Sequence, residues 1–246
     1  MEDILFISVF TKGHRDLALN HLKSLRRVGI TNTLSFCNDK KTVEALEYHG
    51  FKAKEFPFEI NEEVFEPPSE NFNNFSFVKY ILIDTLLEKY KYVWYLDVDT
   101  VIVKDIKKHI DLSKNIDMYI QNDVNILSSG GMLVSNSEVN RNLMKKVWNK
   151  RNSQYCDQLM LNGLLQNKKN NIKGKILSMA HFRPGICFFS QKFIRNISPN
   201  ILKIRKIFLE DRDIGLNIKP SLIHANYIIG VANKIAALKS AGLWLN

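Results

Sequence analysis

The sequence predicts an α/β fold built on a mostly parallel, doubly wound, twisted sheet flanked by helices. Strand-like and helix-like patterns alternate through the first hundred residues. The first and last strand-like runs of that region are apolar enough to be buried. The last of them, Tyr92 to Leu96, delivers two carboxylates, Asp97 and Asp99, at its carboxyl end, where such sheets bind ligands.

In order, residues 4–10 form an apolar strand broken only by Ser8. Residues 14–28 place Leu17, Leu22, Leu25 and Val28 at helical spacing, with Gly29 as a C-cap. Residues 33–37 are a second strand, 41–48 a short helix ending at Gly50, and 51–56 a third strand. Residues 57–72 carry Pro57, Pro67 and Pro68 among glutamates and read as a loop. Residues 75–89 form a helix with Val78, Ile81, Leu82 and Leu86 on one face, and 92–96 the buried strand. The second half is less regular. It offers strands at 117–121, 131–134 and 222–225, helices at 138–150 and 154–165, and a closing helix at 228–245. There is no repeat and no linker, so one domain over 1–246 is expected.

Composition excludes several classes. The chain is 45% hydrophobic and 24% charged, ordinary for a globular protein and unlike disordered or fibrous chains. No apolar run approaches the roughly 20 residues of a transmembrane helix. The N-terminus lacks the basic start and cleavage site of a signal peptide, which leads us to expect a cytoplasmic chain. Abundant Asn and Lys suggest an AT-rich genome, bacterial or viral. Cys37, Cys156 and Cys187 are odd in number and far apart, so neither a disulfide framework nor a thiolate zinc site is expected. The net charge of +10 implies an anionic partner or a solvated basic surface. The basic stretch 141–175 sits among asparagines with few aromatics, which argues against nucleic acid.

Four local features carry chemistry. Carboxylates crowded at a strand end, as Asp97 and Asp99 are, call for a cation between them, and a divalent metal is the natural one. A second Asp-x-Asp, at Asp211 and Asp213, lies in a polar stretch and reads as a solvated charge cluster. Gly130 and Gly131, ahead of a strand, either let a ligand approach the backbone or form a hairpin or bulge. Asp157 and Gln158 open a helix; they either point into a cleft or, for the Asp, complement the helix dipole. His224 ends an apolar strand, where an imidazole can complete a metal site or simply sit in the core. Gly230 and Lys234, at the head of the next helix, suit a phosphate.

The order YLDVDT, SGGMLV, DQLMLN, HANYIIGVANK and GLWL resembles the nucleotide-diphospho-sugar transferase family, within the GT-A glycosyltransferases and similar to families 77 and 8. The resemblance runs from the first strand to Trp244 and implies a GT-A fold, with 1–100 as the nucleotide-binding half and 101–246 as the sugar and acceptor half. It implies that Asp97, Asp99 and His224 bind manganese or magnesium, which grips the diphosphate of a sugar nucleotide. Gly230 and Lys234 correspond to diphosphate contacts, at wider spacing than the H-x-x-G-x-x-K pattern of family 8. Asp157 and Gln158 correspond to residues beside the transferred sugar, Thr11 to one meeting the nucleotide, and Lys79 to a basic residue facing the donor. Ser129 and Gly130 stand where family 8 has Asn before its Gly. The implied reaction is metal-dependent transfer from a UDP-sugar to a hydroxyl of a glycan, lipid-linked or protein acceptor, with retention.

Other readings of the same residues exist. Asp97-Val98-Asp99-Thr100-Val101 also fits a haloacid-dehalogenase-like phosphatase with Asp97 as nucleophile and Asp99 as acid/base. That motif opens its fold, whereas three β-α units precede it here. A nucleotidyltransferase would need a Gly-rich basic loop after the first strand, which Thr11 to Arg15 matches only in part. A non-catalytic basic binding module leaves the order of the motifs unexplained.

Overall fold

The computed structural model describes residues 4–56, 75–124, 126–151, 155–190 and 218–245. The expected loop at 57–72 and the Asp211–Asp213 pair lie outside them.

A seven-stranded sheet has β1 (Ile4–Phe10) near its middle. On one side lie β2 (Thr33–Cys37) and β3 (Ala53–Glu55), both parallel. On the other side lies β4 (Tyr92–Leu96), parallel to β1 with Ile4 opposite Tyr92. Beyond it come β7 (Ile126–Ser135) and β6 (Met118–Asp123), each antiparallel to its predecessor in the sheet, and then β8 (Gly174–Leu177), parallel to β6. The chain therefore leaves β1 in one direction and returns to its other side at β4. The carboxyl ends of β1 and β4 flank the crevice that such a reversal opens.

Period-two alternation gives the sheet two apolar faces. Phe6, Phe10, Trp94 and Leu96 pack on one side, against α1 (Arg15–Arg27), α2 (Lys40–Tyr48) and α6 (Val231–Ser240). Leu5, Ile7, Val93 and Tyr95 pack on the other, against α3 (Val78–Leu87), α4 (Glu138–Trp148) and α5 (Asp157–Gln166). Burial on both faces explains why all seven residues of β1 are buried and why its sequence is so apolar. Helix starts follow from caps: Asp39 accepts from Thr42 N at 2.8 Å, and Ser137 caps α4.

A second sheet of three short strands sits beside the first. Its central strand, β10 (Leu222–His224), runs antiparallel to β5 (Thr100–Ile102) and parallel to β9 (Phe182–Pro184). The sequence reading found β10 but neither β5, β8 nor β9, since three or four residues carry no usable period. Local pattern puts the glycine pair at the head of a strand at 131–134. Both glycines in fact lie inside β7, which starts at Ile126. The closing helix is shorter than 228–245, running from Val231 to Ser240. Among the described residues no helix is long and apolar enough to cross a membrane.

Candidate active site

The end of β4 is pinned before it reaches β5. Asp97 N donates to Gly130 O at 2.9 Å, and Thr100 N and Oγ1 both donate to Asp97 O, at 3.1 and 2.8 Å. This tight turn presents Asp97 and Asp99. Antiparallel pairing then sets His224 opposite Thr100, and Ala225 N donates to Asp99 O at 2.9 Å. Strand pairing is thus what brings a histidine from near the C-terminus to the carboxylates. His224 Nε2 lies 3.1 Å from Asp99 Oδ1 and 3.6 Å from Asp97 Oδ2. The three candidate ligand atoms lie within 4.8 Å of one another.

Neighbouring groups orient this cluster. Gln121 Nε2 donates to Phe182 O at 3.4 Å, which turns Gln121 Oε1 toward His224 Nδ1, 3.3 Å away. His224 Nδ1 therefore carries a proton, and Nε2 is the nitrogen that meets the carboxylates. Tyr95 OH donates to Asp97 Oδ1 at 2.5 Å. Lys234 Nζ donates to Asp99 Oδ2 at 2.5 Å. Burial alone would raise the Asp99 carboxyl, but the charges of Lys234 and His224 outweigh it and hold Asp99 well below the usual carboxylate range.

The glycine pair does not face the ligand space. A Cβ on Gly130 would overlap Asp97 Oδ2 and His224 Cε1, and one on Gly131 would come within 2.7 Å of Gln121 Oε1. Their absent side chains make room for Asp97 and His224 and for the glutamine that orients His224.

These groups open onto a cavity of ≈ 410 Å³ whose wall includes Phe10, Asp97, Asp99, His224 and Lys234. Its far side is a second charged pair. Lys79 Nζ from α3 lies 2.9 Å from Asp157 Oδ2 at the start of α5, both side chains only 6% exposed. Lys79 also donates to Ser129 Oγ at 3.1 Å, and Tyr80 OH to Asp157 Oδ2 at 3.0 Å. Burial pushes the Asp157 carboxyl up, but the Lys79 charge and the hydrogen bonds prevail, so its pKa is lowered.

A family model described as nucleotide-diphospho-sugar transferase matches residues 28–238. The chain belongs to this family. A curated relative, the UDP-galactose:fucoside alpha-3-galactosyltransferase of Dictyostelium discoideum, is 22% identical over 94% of this transferase chain, which spans 41% of that relative's length. Among solved structures, the glycosyltransferase GlyE of Streptococcus pneumoniae TIGR4 aligns with TM-score 0.60 at 14% identity, covering 98% of this chain and 64% of that one. The galactosyltransferase LgtC, solved with donor and acceptor sugar analogs, aligns with TM-score 0.58 at 13% identity over 96% of this chain and 95% of its own. The fold is that of the GT-A glycosyltransferases. The family match displaces both the phosphatase and the binding-module readings.

The transferase's expected site residues do not all reach the cavity. Asp97, Asp99, His224, Lys79, Asp157, Gln158, Gly230 and Lys234 line it. Gly230 caps α6 at φ 86°, a left-handed conformation that a glycine holds without strain. Thr11 does not line the cavity. It is fully buried, with Oγ1 3.0 Å from His14 Nδ1, and His14 is the wall residue instead. Lys79 is committed to Asp157 and Ser129 rather than extended into open space.

Sequence reasoning missed Gln121, Asp123 and Asn226. Gln121 and Asp123 belong to the polar run Gln121-Asn122-Asp123 that ends β6, and Asn226 follows β10; by local pattern such residues read as an ordinary strand end. A carboxylate pair and an imidazole whose free nitrogen is fixed by Gln121 fit a divalent cation of the first transition row or magnesium.

Proposed function

We propose that the chain, acting as one unit over 1–246, transfers a sugar from a UDP-sugar to an acceptor hydroxyl with retention of configuration. The observation that carries the reading is the convergence of Asp97, Asp99 and His224 on one cavity, with Lys234 beside them. The galactosyltransferase name of the Dictyostelium discoideum relative supports a uridine nucleotide as carrier. A glycan hydroxyl is the acceptor that the relative's name also favours, with lipid-linked and protein-linked sugars as variants of the same chemistry.

Asp97, Asp99 and His224 would hold manganese or magnesium. When bound there, the metal supplies charge neutralisation for the diphosphate leaving group. Lys234 stands one turn into α6, whose free N–H groups and dipole also favour an anion, so this lysine takes phosphate charge as the bond to the sugar breaks. Asp157 provides fixed negative charge beside the sugar. Its Oδ2 already accepts from both Lys79 and Tyr80, which weakens it as a nucleophile and favours a stabilising role toward an oxocarbenium-like centre during same-face attack. Gln158 holds the sugar from the same side.

A thermal-shift series tests the reading. UDP-sugars with manganese should raise the melting temperature, and nucleotide alone should raise it less, because only ligands of the native state stabilise it. In Asp99→Ala the manganese-dependent increment should vanish while the apo protein still melts cooperatively. Equal shifts by every nucleotide, with no manganese increment in the wild type, would refute it.

A further inference from the structure

Four hydrogen bonds run across the cavity wall with a polarity that can be read end to end. At one end Gly185 N donates to Asn226 Oδ1 at 2.6 Å. At the other, Ser129 N donates to Gln158 Oε1 at 3.3 Å. A backbone N–H can only donate, so each end fixes which way its side-chain amide faces. Both NH2 groups are thereby turned inward, and both meet Asp123. Asn226 Nδ2 donates to Asp123 Oδ1 at 2.8 Å, and Gln158 Nε2 to Asp123 Oδ2 at 3.1 Å. The centre of this relay must accept twice and donate nothing. An ionised carboxylate meets that requirement; an asparagine does not.

The backbone is bent to hold this arrangement. Val124, directly after Asp123, has φ 66°, and Tyr227, directly after Asn226, has φ 63°. Left-handed conformations are costly for a β-branched or aromatic residue and persist where the surroundings impose them. A register shift between Ile120 and Gln121 in β6 also re-aims the strand end that carries Asp123. Asp123 is 6% exposed, and no lysine or arginine is bonded to its carboxylate among the described residues. Its two amide partners also line the cavity.

We infer that Asp123 is a positioning residue for sugar transfer. By accepting from both amides it locks the Gln158 side chain in one orientation and ties it to the segment after β10, the role at Gln158 resting on the transfer reaction proposed above. With Nε2 and Oε1 each satisfied once from the protein, Gln158 keeps one N–H and one lone pair of known placement for the sugar. The Asp97, Asp99 and His224 cluster and Lys234 form no hydrogen bond of the relay, so breaking it leaves their own contacts in place, and the Asp123 charge reaches His224 only through space.

The test uses the full chain and three variants: Asp123→Asn, Gln158→Glu, and both together. In Asp123→Asn an NH2 group confronts another NH2 group. In Gln158→Glu a carboxylate confronts Asp123. In the double variant the donor and acceptor simply exchange sides, so every bond of the relay can form again. Each single variant should melt earlier than the wild type, and the double variant should melt later than either. A double variant that loses the sum of the single losses overturns the relay. For the positioning role, Asp123→Asn should bind UDP with manganese as the wild type does, while kcat on the UDP-sugar falls by about tenfold to a hundredfold, the scale of a displaced positioning group. An unchanged kcat, or a loss of UDP binding equal to the loss of kcat, overturns that role. If the wild type binds no sugar nucleotide, the transfer reaction fails instead, and the melting cycle still decides the relay.

Discussion

At the scale of single residues, His21 shows how the site's support can limit the protein's tolerance of acid. It sits on α1, 1% exposed, with Nδ1 3.0 Å from Thr100 O and from Thr100 Oγ1. Its Nε2 is buried with no hydrogen-bond partner among the described residues. Burial disfavours the imidazolium and lowers the pKa to about 4. The unfolded chain therefore takes up a proton before the native one does. The stability this histidine contributes is fully present above about pH 6.5 and declines as pH falls toward about 4, by roughly 1.4 kcal/mol per unit. Urea midpoints measured across that window should fall more steeply in the wild type than in His21→Gln, and parallel curves would show that His21 is not responsible. The residues that carry the site's charge were legible. Asp97, Asp99 and His224 sit at ends of apolar runs, and their order along the chain matched a known one. Gly130 was legible only as either a close approach or a hairpin or bulge, because the Asp97 and His224 side chains that crowd it reach it through pairing between distant strands.

At the scale of elements, the buried pair of Lys79 and Asp157 ties α3 to α5 behind the cavity. Taking two charges out of water is costly, and their attraction offsets that cost only while both are present. Lys79→Met should therefore destabilise the protein by about 3–5 kcal/mol, since it strands a buried carboxylate. Lys79→Met combined with Asp157→Leu should lose much less than the two separate losses. Chemical denaturation of the four proteins measures the coupling, and additive losses would mean that solvent reaches the pair. The long elements of this fold were legible because each repeats a period several times. Helix α1 shows Leu17, Leu22 and Leu25 on one buried face, and β1 is apolar throughout. The short strands β5 and β9 were not. Their position is set by β10 between them, and that pairing joins residues distant in sequence, Thr100 with His224 and Phe182 with Leu222, beyond the reach of local pattern.

At the scale of the whole molecule, the bond from Lys234 to Asp99 spans most of the chain and has a thermodynamic consequence. An ammonium held by its own backbone acts as a tethered rival to any diffusible cation that would use Asp99 Oδ2. Such a rival is always at high local concentration, so a divalent ion arriving alone must displace it and binds more weakly than the ligand set would otherwise allow. A pyrophosphate group changes the contest by giving the ammonium another anion. The ion and the nucleotide should then each tighten the other's binding by the same factor, as reciprocal linkage requires. Titration of manganese followed by its electron paramagnetic resonance should show tighter binding when UDP is present. In Lys234→Met the ion alone should bind more tightly than in the wild type, and the nucleotide should add less. Weaker manganese binding in that variant would mean that the lysine assists the ion rather than opposing it. The chain would in that case load its metal first, whereas a tethered rival would make the ion and the nucleotide enter together and, by the same reciprocity, leave together.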